Sequence, residues 1–165
     1  MKTLVIIPAY NEEANIAVTV RSAKHYLRDA TILVINDGST DNTANLASDG
    51  GATVISTEKN RGYGSALKMG YRVAVGCAFD NVLQLDADGQ HDPKYLPVLL
   101  AALKCHDVVI GSRFLGGPTY PIPFFRRQGM RLFSFISKQS GLKITDTTSG
   151  YRAYSARAVL EVLRI

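Results

Sequence analysis

The chain has few of the features that mark disulfide-rich, zinc-binding or membrane-spanning proteins. Its two cysteines, Cys77 and Cys105, have no CxxC spacing, so we expect both to be reduced and buried. The histidines His25, His91 and His106 lack metal-ligand spacing. No apolar run approaches the ~18 residues of a spanning helix, and the N-terminus has no signal-peptide core. We therefore expect a soluble, cytoplasmic chain.

Two common nucleotide-binding signatures are also absent. A dinucleotide-binding turn has GxGxxG after the first strand, where residues 8–12 read PAYNE, and no P-loop pattern occurs. Glycines open a helix at residues 61–64 (RGYG), which allows either an anion on the backbone amides or close helix packing. Dinucleotide-dependent and P-loop enzymes are therefore disfavoured.

The composition indicates one ordinary globular domain. Of the 165 residues, 46% are hydrophobic and 20% are charged, without repeats, low-complexity tracts or linkers. The formal net charge of +5 indicates an anionic partner and leaves nucleic acid, acidic lipid and phosphorylated substrates open.

Strand-like and helix-like segments alternate along the chain, which is typical of a mostly parallel α/β sheet. Residues 4–7 form a β-branched run that indicates a buried strand, and Pro8 is expected to end it. Asn11 and Asp41 are expected to cap helices. We predict strands at 4–7, 31–35, 52–56, 81–85, 107–110 and 151–154, helices at 12–28, 41–48, 62–77, 93–104, 125–139 and 155–165, and loops at 114–124 and 141–150.

Polar clusters directly follow four of the predicted strands. In parallel sheets, ligands bind beyond the carboxyl ends of the strands, so these clusters are expected to converge on one edge. The clusters are residues 8–12, 36–39, 86–88 and 111–113.

The third of these clusters contains two carboxylates one residue apart, Asp86 and Asp88. In an extended backbone they would point the same way, roughly 6–7 Å apart. Such hard oxygen ligands suit Mg²⁺ or Mn²⁺ shared with a diphosphate. Gly89 removes a side chain where a ligand must approach, and Gln90 adds a carbonyl oxygen. The alternative is a capped strand end.

Two further carboxylates have the same ambiguity. Because Asp41 can cap the next helix, Asp37 is left to accept hydrogen bonds from a ribose or base edge, or else forms an Asx-turn. Glu12 is either a ligand contact or a helix-capping residue. His91 is a candidate only because it is close to Asp86 and Asp88 in the sequence.

Arginines are concentrated in the second part of the chain. Arg127 and Arg131 share one face of the predicted helix at 125–139. With Arg126 they form either a phosphate clamp at a membrane surface or the solvated face of a packed helix. Arg113, directly after a strand, is the better candidate for a phosphate ligand.

Taken together, six segments resemble family 2 glycosyltransferases of the dolichol- and polyprenyl-phosphate branch. The resemblance implies the GT-A fold, an inverting transfer, a donor of the GDP-mannose or UDP-glucose type, and a Mg²⁺ or Mn²⁺ ion. The segments are VIIPAYNEEANI (5–16), VINDGSTDNT (34–43), RGYGSALKMGY (61–71), QLDADGQHDP (84–93), VVIGSRF (108–114) and DTTSGYRAYS (146–155).

The resemblance also implies roles for individual residues. The nucleoside would be held by Pro8, Tyr10, Glu12 and Asp37, and the metal and diphosphate by Asp86, Asp88 and Gln90. The acceptor phosphate would be held by Arg113 with one or more of Arg126, Arg127 and Arg131, and Asp146 would lie near the acceptor. Asp88, Arg113 and Asp146 are thus the expected catalytic residues.

The same resemblance implies a nucleotide-sugar-binding half at 1–113 and an incomplete acceptor side at 114–165, because similar domains continue further. It implies a polyprenyl or dolichyl phosphate acceptor at the cytoplasmic face of a membrane. No nucleic-acid partner is expected, because the sequence has no aromatic-basic platform and no helix-turn-helix pattern. Two alternatives stay open. One is a transferase of the same fold that acts on a saccharide hydroxyl in cell-surface polysaccharide synthesis, and the other is a nucleotide-sugar-binding domain without catalysis.

Overall fold

The structure is a computed structural model that describes residues 1–112 and 149–164. Its strands are β1 (Thr3–Ala9), β2 (Thr31–Asn36), β3 (Thr53–Ser56), β4 (Asn81–Gln84), β5 (Val108–Ile110) and β6 (Arg152–Ser155). Its helices are α1 (Ile16–Tyr26), α2 (Thr43–Asp49), α3 (Tyr63–Gly76), α4 (Leu96–Ala102), preceded by a 3₁₀ turn at Pro93–Tyr95, and α5 (Ala156–Arg164).

The strands form one sheet in the order β3-β2-β1-β4-β6-β5. The β3–β2, β2–β1 and β1–β4 pairs are parallel, whereas β6 runs antiparallel to both β4 and β5. The predicted α/β class with a mostly parallel sheet is therefore confirmed. This order places β1 between β2 and β4, so the loops after these three strands lie next to one another.

Both faces of the sheet are buried because alternate residues of the central strands face different helices. Val5 and Ile7 pack with Ile16 and Val20 of α1 on one face. Leu4 and Ile6 pack with α3 and α5 on the other. At Gly70, α3 lies so close to β1 that an added Cβ would lie 2.6 Å from Ile6 Cγ2, and this contact fixes the height of α3 over the strand.

Three sequence-based expectations were wrong. Pro8 does not end β1 but pairs with Ile35, at a point where the β1–β4 ladder has already ended, so the missing amide leaves that ladder intact. Asn11 caps no helix, because its backbone has a φ of 54° and its side chain binds the loop after β2. Cys77 and Cys105 are free, as expected, but both are exposed rather than buried.

Other predictions lie outside the described residues: the loop at 114–124, the helix at 125–139, most of the loop at 141–150, and the acceptor half at 114–165 as a unit. Within residues 1–112 and 149–164, no helix has the length and apolar character needed to cross a membrane.

Candidate active site

The loops after β1 and β2 are joined by hydrogen bonds at the carboxyl edge of the sheet. The Asp37 amide donates to the Ala9 carbonyl at 2.9 Å. The Asn11 amide donates to the Ser39 hydroxyl, and the Asn11 side-chain oxygen accepts from the Thr40 amide, each at 2.9 Å. The left-handed backbone of Asn11 thus lets its amide and side chain connect two loops that were expected at the same edge of the sheet.

Asp86 and Asp88 follow β4 at the same edge. The backbone turns here instead of staying extended, and Ala87 between them is 3% exposed. Asp88 is exposed, and its carboxylate accepts from the Gln90 amide at 3.0 Å. Gly89 has a φ of 72° with open space around it, so the turn itself requires glycine. Asp88 is therefore open to solvent beside a buried anchor, whereas the side chain of Asp86 is 22% exposed.

The carboxylate of Asp86 has a defined set of neighbours. The Tyr63 hydroxyl donates to Asp86 Oδ1 at 2.7 Å. His91, which is 6% exposed, has its Nε2 3.8 Å from Asp86 Oδ2. Partial burial and the charge of Asp86 raise the pKa of Tyr63 well above its ordinary value, so the phenol stays protonated and donates.

Asp37 is 3% exposed and accepts hydrogen bonds from the chain itself. Its carboxylate accepts from the Thr57 hydroxyl at 3.0 Å, from the Arg61 amide at 3.0 Å and from the Gly62 amide at 2.7 Å. The amides at the start of α3, which the sequence offered as an anion site, therefore bind an internal anion. A contact between Asp37 and a nucleoside stays a prediction.

Gly38 is expected to be intolerant of a side chain. A Cβ there would lie 2.4 Å from the Lys59 carbonyl carbon, and the φ of 71° disfavours any L side chain. Gly38→Ala should lower the free energy of unfolding by about 2–3 kcal/mol, measured by denaturant titration. Gly62→Ala is the matched control, because Gly62 has a φ of 91° but nothing within 4 Å. Equal losses in both variants would contradict a steric contribution at Gly38.

The residues expected around the nucleoside differ in their exposure. Tyr10 is 47% exposed beside the edge, whereas Pro8 is buried inside β1. Glu12 is half-buried, its side chain accepts from the Asn15 side chain at 3.2 Å, and its amide donates to the Thr43 hydroxyl at 2.8 Å. Both alternatives for Glu12 therefore stay open, with a local hydrogen bond already formed.

Residues 149–151 tie β5 to the loop after β4. The Ser149 hydroxyl donates to the Gly111 carbonyl at 2.6 Å, and the Gly111 amide donates to the Tyr151 carbonyl at 2.7 Å. The Tyr151 hydroxyl donates to the Asp92 carbonyl at 3.1 Å, and its ring centroid is 5.1 Å from that of His91. The segment therefore supports the loop that contains the carboxylate pair.

The donor set fits a shared cation better than a closed protein site. Among residues 1–112 and 149–164, no group of three His, Cys, Asp or Glu side chains could hold a metal. Two hard carboxylates at an open edge suit Mg²⁺ or Mn²⁺ when a diphosphate supplies the remaining oxygen ligands.

A sequence model of glycosyl transferase family 2 matches residues 4–163. The chain belongs to glycosyl transferase family 2. This family 2 chain is 35% identical over 163 residues to undecaprenyl-phosphate mannosyltransferase of Micrococcus luteus, with 94% of the chain and 67% of that protein covered. It is 36% identical over 169 residues to polyprenol monophosphomannose synthase of Mycolicibacterium smegmatis, covering 97% and 63%.

Solved structures confirm the GT-A fold class. The family 2 chain resembles glucosyl-3-phosphoglycerate synthase of Mycobacterium tuberculosis in complex with UDP, with a TM-score of 0.75, 25% identity, and 94% and 57% coverage of the two chains. Another structure of that synthase, with Mn²⁺, UDP-glucose and phosphoglyceric acid, gives a TM-score of 0.71 at 25% identity. The chain thus spans 57% of the length of that synthase and 63% of the Mycolicibacterium protein.

The structure of the family 2 chain brings together Tyr10, Glu12, Asp37, Asp86 and Asp88 near one edge. Five predicted site residues lie outside the described part: Arg113, Arg126, Arg127, Arg131 and Asp146. Two neighbours of Asp86 have no signal of their own in the sequence: Tyr63, whose hydroxyl donates to Oδ1, and Gly150, where an added Cβ would lie 1.9 Å from Oδ2. Both belong to segments that point to other residues, the glycines of 61–64 and Asp146.

Proposed function

We propose that the chain contributes the donor side of an inverting glycosyltransferase. The enzyme would transfer a hexose from a GDP-mannose- or UDP-glucose-type donor to polyprenyl or dolichyl phosphate at the cytoplasmic face of a membrane. The observation that carries the proposal is the Asp86 and Asp88 pair, placed after β4 beside the loop that Asp37 organises. The relatives named for undecaprenyl-phosphate and polyprenol mannosyl transfer support this substrate class.

On this proposal, the nucleoside lies against the loops after β1 and β2. Tyr10 offers an exposed ring for a base, and Glu12 offers a half-buried carboxylate for a ribose or base hydrogen bond. Asp37 would contact the nucleoside through a carboxylate that also accepts from Thr57, Arg61 and Gly62. Pro8, which is buried in β1, would support the loop that carries Tyr10 and Glu12. Asp86 and Asp88, with Gln90, would hold the diphosphate end through Mg²⁺ or Mn²⁺, an ion that would neutralise charge on the departing nucleoside diphosphate.

The transfer requires little proton chemistry from the chain. A phosphate oxygen of the acceptor attacks the anomeric carbon, and the bond from that carbon to the diphosphate oxygen breaks with inversion. Because a phosphate monoester is already ionised near pH 7, no strong general base is needed. The described residues would act by positioning the donor and by holding its anionic end.

The acceptor side rests on residues outside the described part. Arg113 and one or more of Arg126, Arg127 and Arg131 would bind the acceptor phosphate, since guanidinium groups match phosphate geometry. Asp146 would lie near the acceptor and would serve as a base only if the acceptor were a hydroxyl. The formal charge of +5 agrees with an anionic acceptor.

A thermal-shift panel tests the donor side of the proposal. We expect GDP-mannose or UDP-glucose at about 100 times its Kd to stabilise the intact protein by about 2.7 kcal/mol, or roughly 5–10 °C in Tm, when Mn²⁺ is present. Without Mn²⁺ the shift should be much smaller. UDP-N-acetylglucosamine and free mannose complete the panel. Equal shifts with and without the metal for every donor would contradict the role of the carboxylate pair.

A transfer assay with the stabilising donor tests the acceptor. Undecaprenyl phosphate and dolichyl phosphate are compared with an oligosaccharide and with 3-phosphoglycerate. Product on the lipid phosphates alone is the expected result. Product on the oligosaccharide would favour polysaccharide synthesis, and donor binding without any turnover would favour a non-catalytic domain.

A further inference from the structure

Tyr63 makes a hydrogen-bonded chain that ends on Asp86. The Tyr71 hydroxyl donates to Gln84 Oε1, Gln84 Nε2 donates to the Tyr63 hydroxyl, and that hydroxyl donates to Asp86 Oδ1, each at 2.7 Å. Gln84 is 2% exposed, so its amide has little freedom to turn or to exchange partners with water. Because the Asp86 carboxylate can only accept, the Tyr63 proton points at Asp86, which leaves the Tyr63 oxygen to accept from Gln84 Nε2 and Gln84 Oε1 to accept from Tyr71.

The other oxygen of Asp86 is enclosed from the opposite side. His91 Nε2 lies 3.8 Å from Oδ2, and a Cβ placed on Gly150 would lie 1.9 Å from the same oxygen. The carboxylate thus has the Tyr63 hydroxyl on one side and the Gly150 backbone on the other. Rotation of the Asp86 side chain would break the hydrogen bond with Tyr63 or bring an oxygen into the Gly150 backbone. One rotamer is therefore favoured.

Tyr63 directly follows a residue that binds Asp37, the buried carboxylate after β2. Gly62, its neighbour, donates its amide to Asp37 Oδ2 at 2.7 Å. The first residue of α3 therefore connects the loop after β2 to the carboxylate after β4. A rigid connection of this kind fixes the distance between the place for a nucleoside and the place for its diphosphate.

We propose that Tyr63 is a positioning residue that orients the Asp86 carboxylate for the metal and diphosphate, an inference that rests on the proposed function. Hydrogen-bond partners of metal-binding side chains fix ligand orientation, and their loss typically weakens metal affinity about 10–100-fold. The Tyr63 hydroxyl donates to one oxygen of Asp86 and thereby fixes the orientation of the carboxylate. The lone pairs that do not accept from Tyr63 stay free to bind a metal ion.

The test is the effect of Mn²⁺ on nucleotide affinity. GDP and UDP are titrated calorimetrically into the intact protein, with and without Mn²⁺, and the ratio of the two affinities is compared among variants. Tyr63→Phe should reduce this ratio about tenfold. Metal-free nucleotide affinity should stay within about twofold of the wild-type value, because the substitution removes only the hydroxyl that contacts Asp86 and Gln84. Tyr26→Phe, a half-exposed tyrosine at the end of α1, is the matched control and should leave the ratio unchanged.

A double-mutant cycle shows whether Tyr63 acts through Asp86. Asp86→Asn should lower the ratio, and adding Tyr63→Phe to that variant should lower it no further. A wild-type ratio in Tyr63→Phe would overturn the inference, as would an equal loss of metal-free affinity, which indicates general damage. If Mn²⁺ changes neither affinity in the wild-type protein, the metal-dependent function fails, and the inference fails with it.

Discussion

Replacing Asp88 with asparagine is expected to abolish metal-dependent transfer, with kcat/KM lower by about 10³-fold, or roughly 4 kcal/mol of transition-state stabilisation. The carboxylate is exposed, and within residues 1–112 and 149–164 its one hydrogen bond comes from the Gln90 amide. Asparagine retains an oxygen for that amide, so the turn after Ala87 should persist. The substitution therefore removes a charge from the proposed metal site and little else.

The measurements that accompany this variant separate chemistry from folding. The Tm of Asp88→Asn without ligand should match the wild-type value, whereas the Mn²⁺-dependent part of the donor-induced Tm shift should disappear. Asp29→Asn is the control, because Asp29 is an exposed carboxylate in the turn before β2, at the opposite edge of the sheet. Transfer by Asp88→Asn within about twofold of the wild-type rate would contradict a role for this carboxylate.

The fold was predictable because its strongest signals are local. The apolar runs at 4–7 and 31–35 form buried parallel strands, and the segment between them has room for one helix, α1. Errors arose where a tertiary contact outweighed a local preference. Asn11 has a residue type suited to capping, but its side chain binds Thr40, 29 residues away, and α1 begins only at Ile16.

The position of the candidate site in the sheet was also predictable, whereas the roles of its residues stay predictions. The spacing of Asp86 and Asp88 directly after a predicted strand indicates a paired-carboxylate site, and their position at the carboxyl edge follows from the topology. Tyr63 could not be found this way, because its partner Asp86 lies 23 residues away and nothing local relates a helix-initial tyrosine to that carboxylate. Asp37 illustrates the converse, since its residue type suggested a ligand contact and its burial among Thr57, Arg61 and Gly62 shows a structural role as well.

The role of Gly150 was even harder to predict from the sequence than that of Tyr63. In its segment, DTTSGYRAYS, the predicted site residue is Asp146, whereas the contact with Asp86 that the structure shows belongs to Gly150. No positive φ requires glycine at this position, so the requirement is purely steric. A steric requirement imposed by a residue far away in the sequence leaves no local pattern.

Gly150→Ala is therefore expected to damage the donor site more than the fold. The added Cβ would lie 1.9 Å from Asp86 Oδ2 and 2.4 Å from Asp86 Cγ, well inside van der Waals contact. Either Asp86 leaves its position against Tyr63 or residues 149–151 move away from the loop after β4. If Asp86 moves, we expect transfer to fall about 100-fold, because a ligand displaced by about 1 Å loses productive geometry. In both cases we expect the free energy of unfolding to fall by about 1–3 kcal/mol.

Transfer kinetics, denaturant titration and the Mn²⁺ effect on nucleotide affinity measure the two consequences separately. Gly76→Ala is the control, because a Cβ at this last residue of α3 would meet nothing within 4 Å, and alanine should slightly stabilise the helix end. A Gly150→Ala protein that is destabilised but keeps its Mn²⁺ effect would mean that the 149–151 segment moves and Asp86 does not. Loss of the Mn²⁺ effect with modest destabilisation would mean that Asp86 moves. We expect Asp86 to move, because hydrogen bonds of Ser149 and Tyr151 hold the segment on both sides of Gly150. Gly150 itself makes only a steric contact with Asp86.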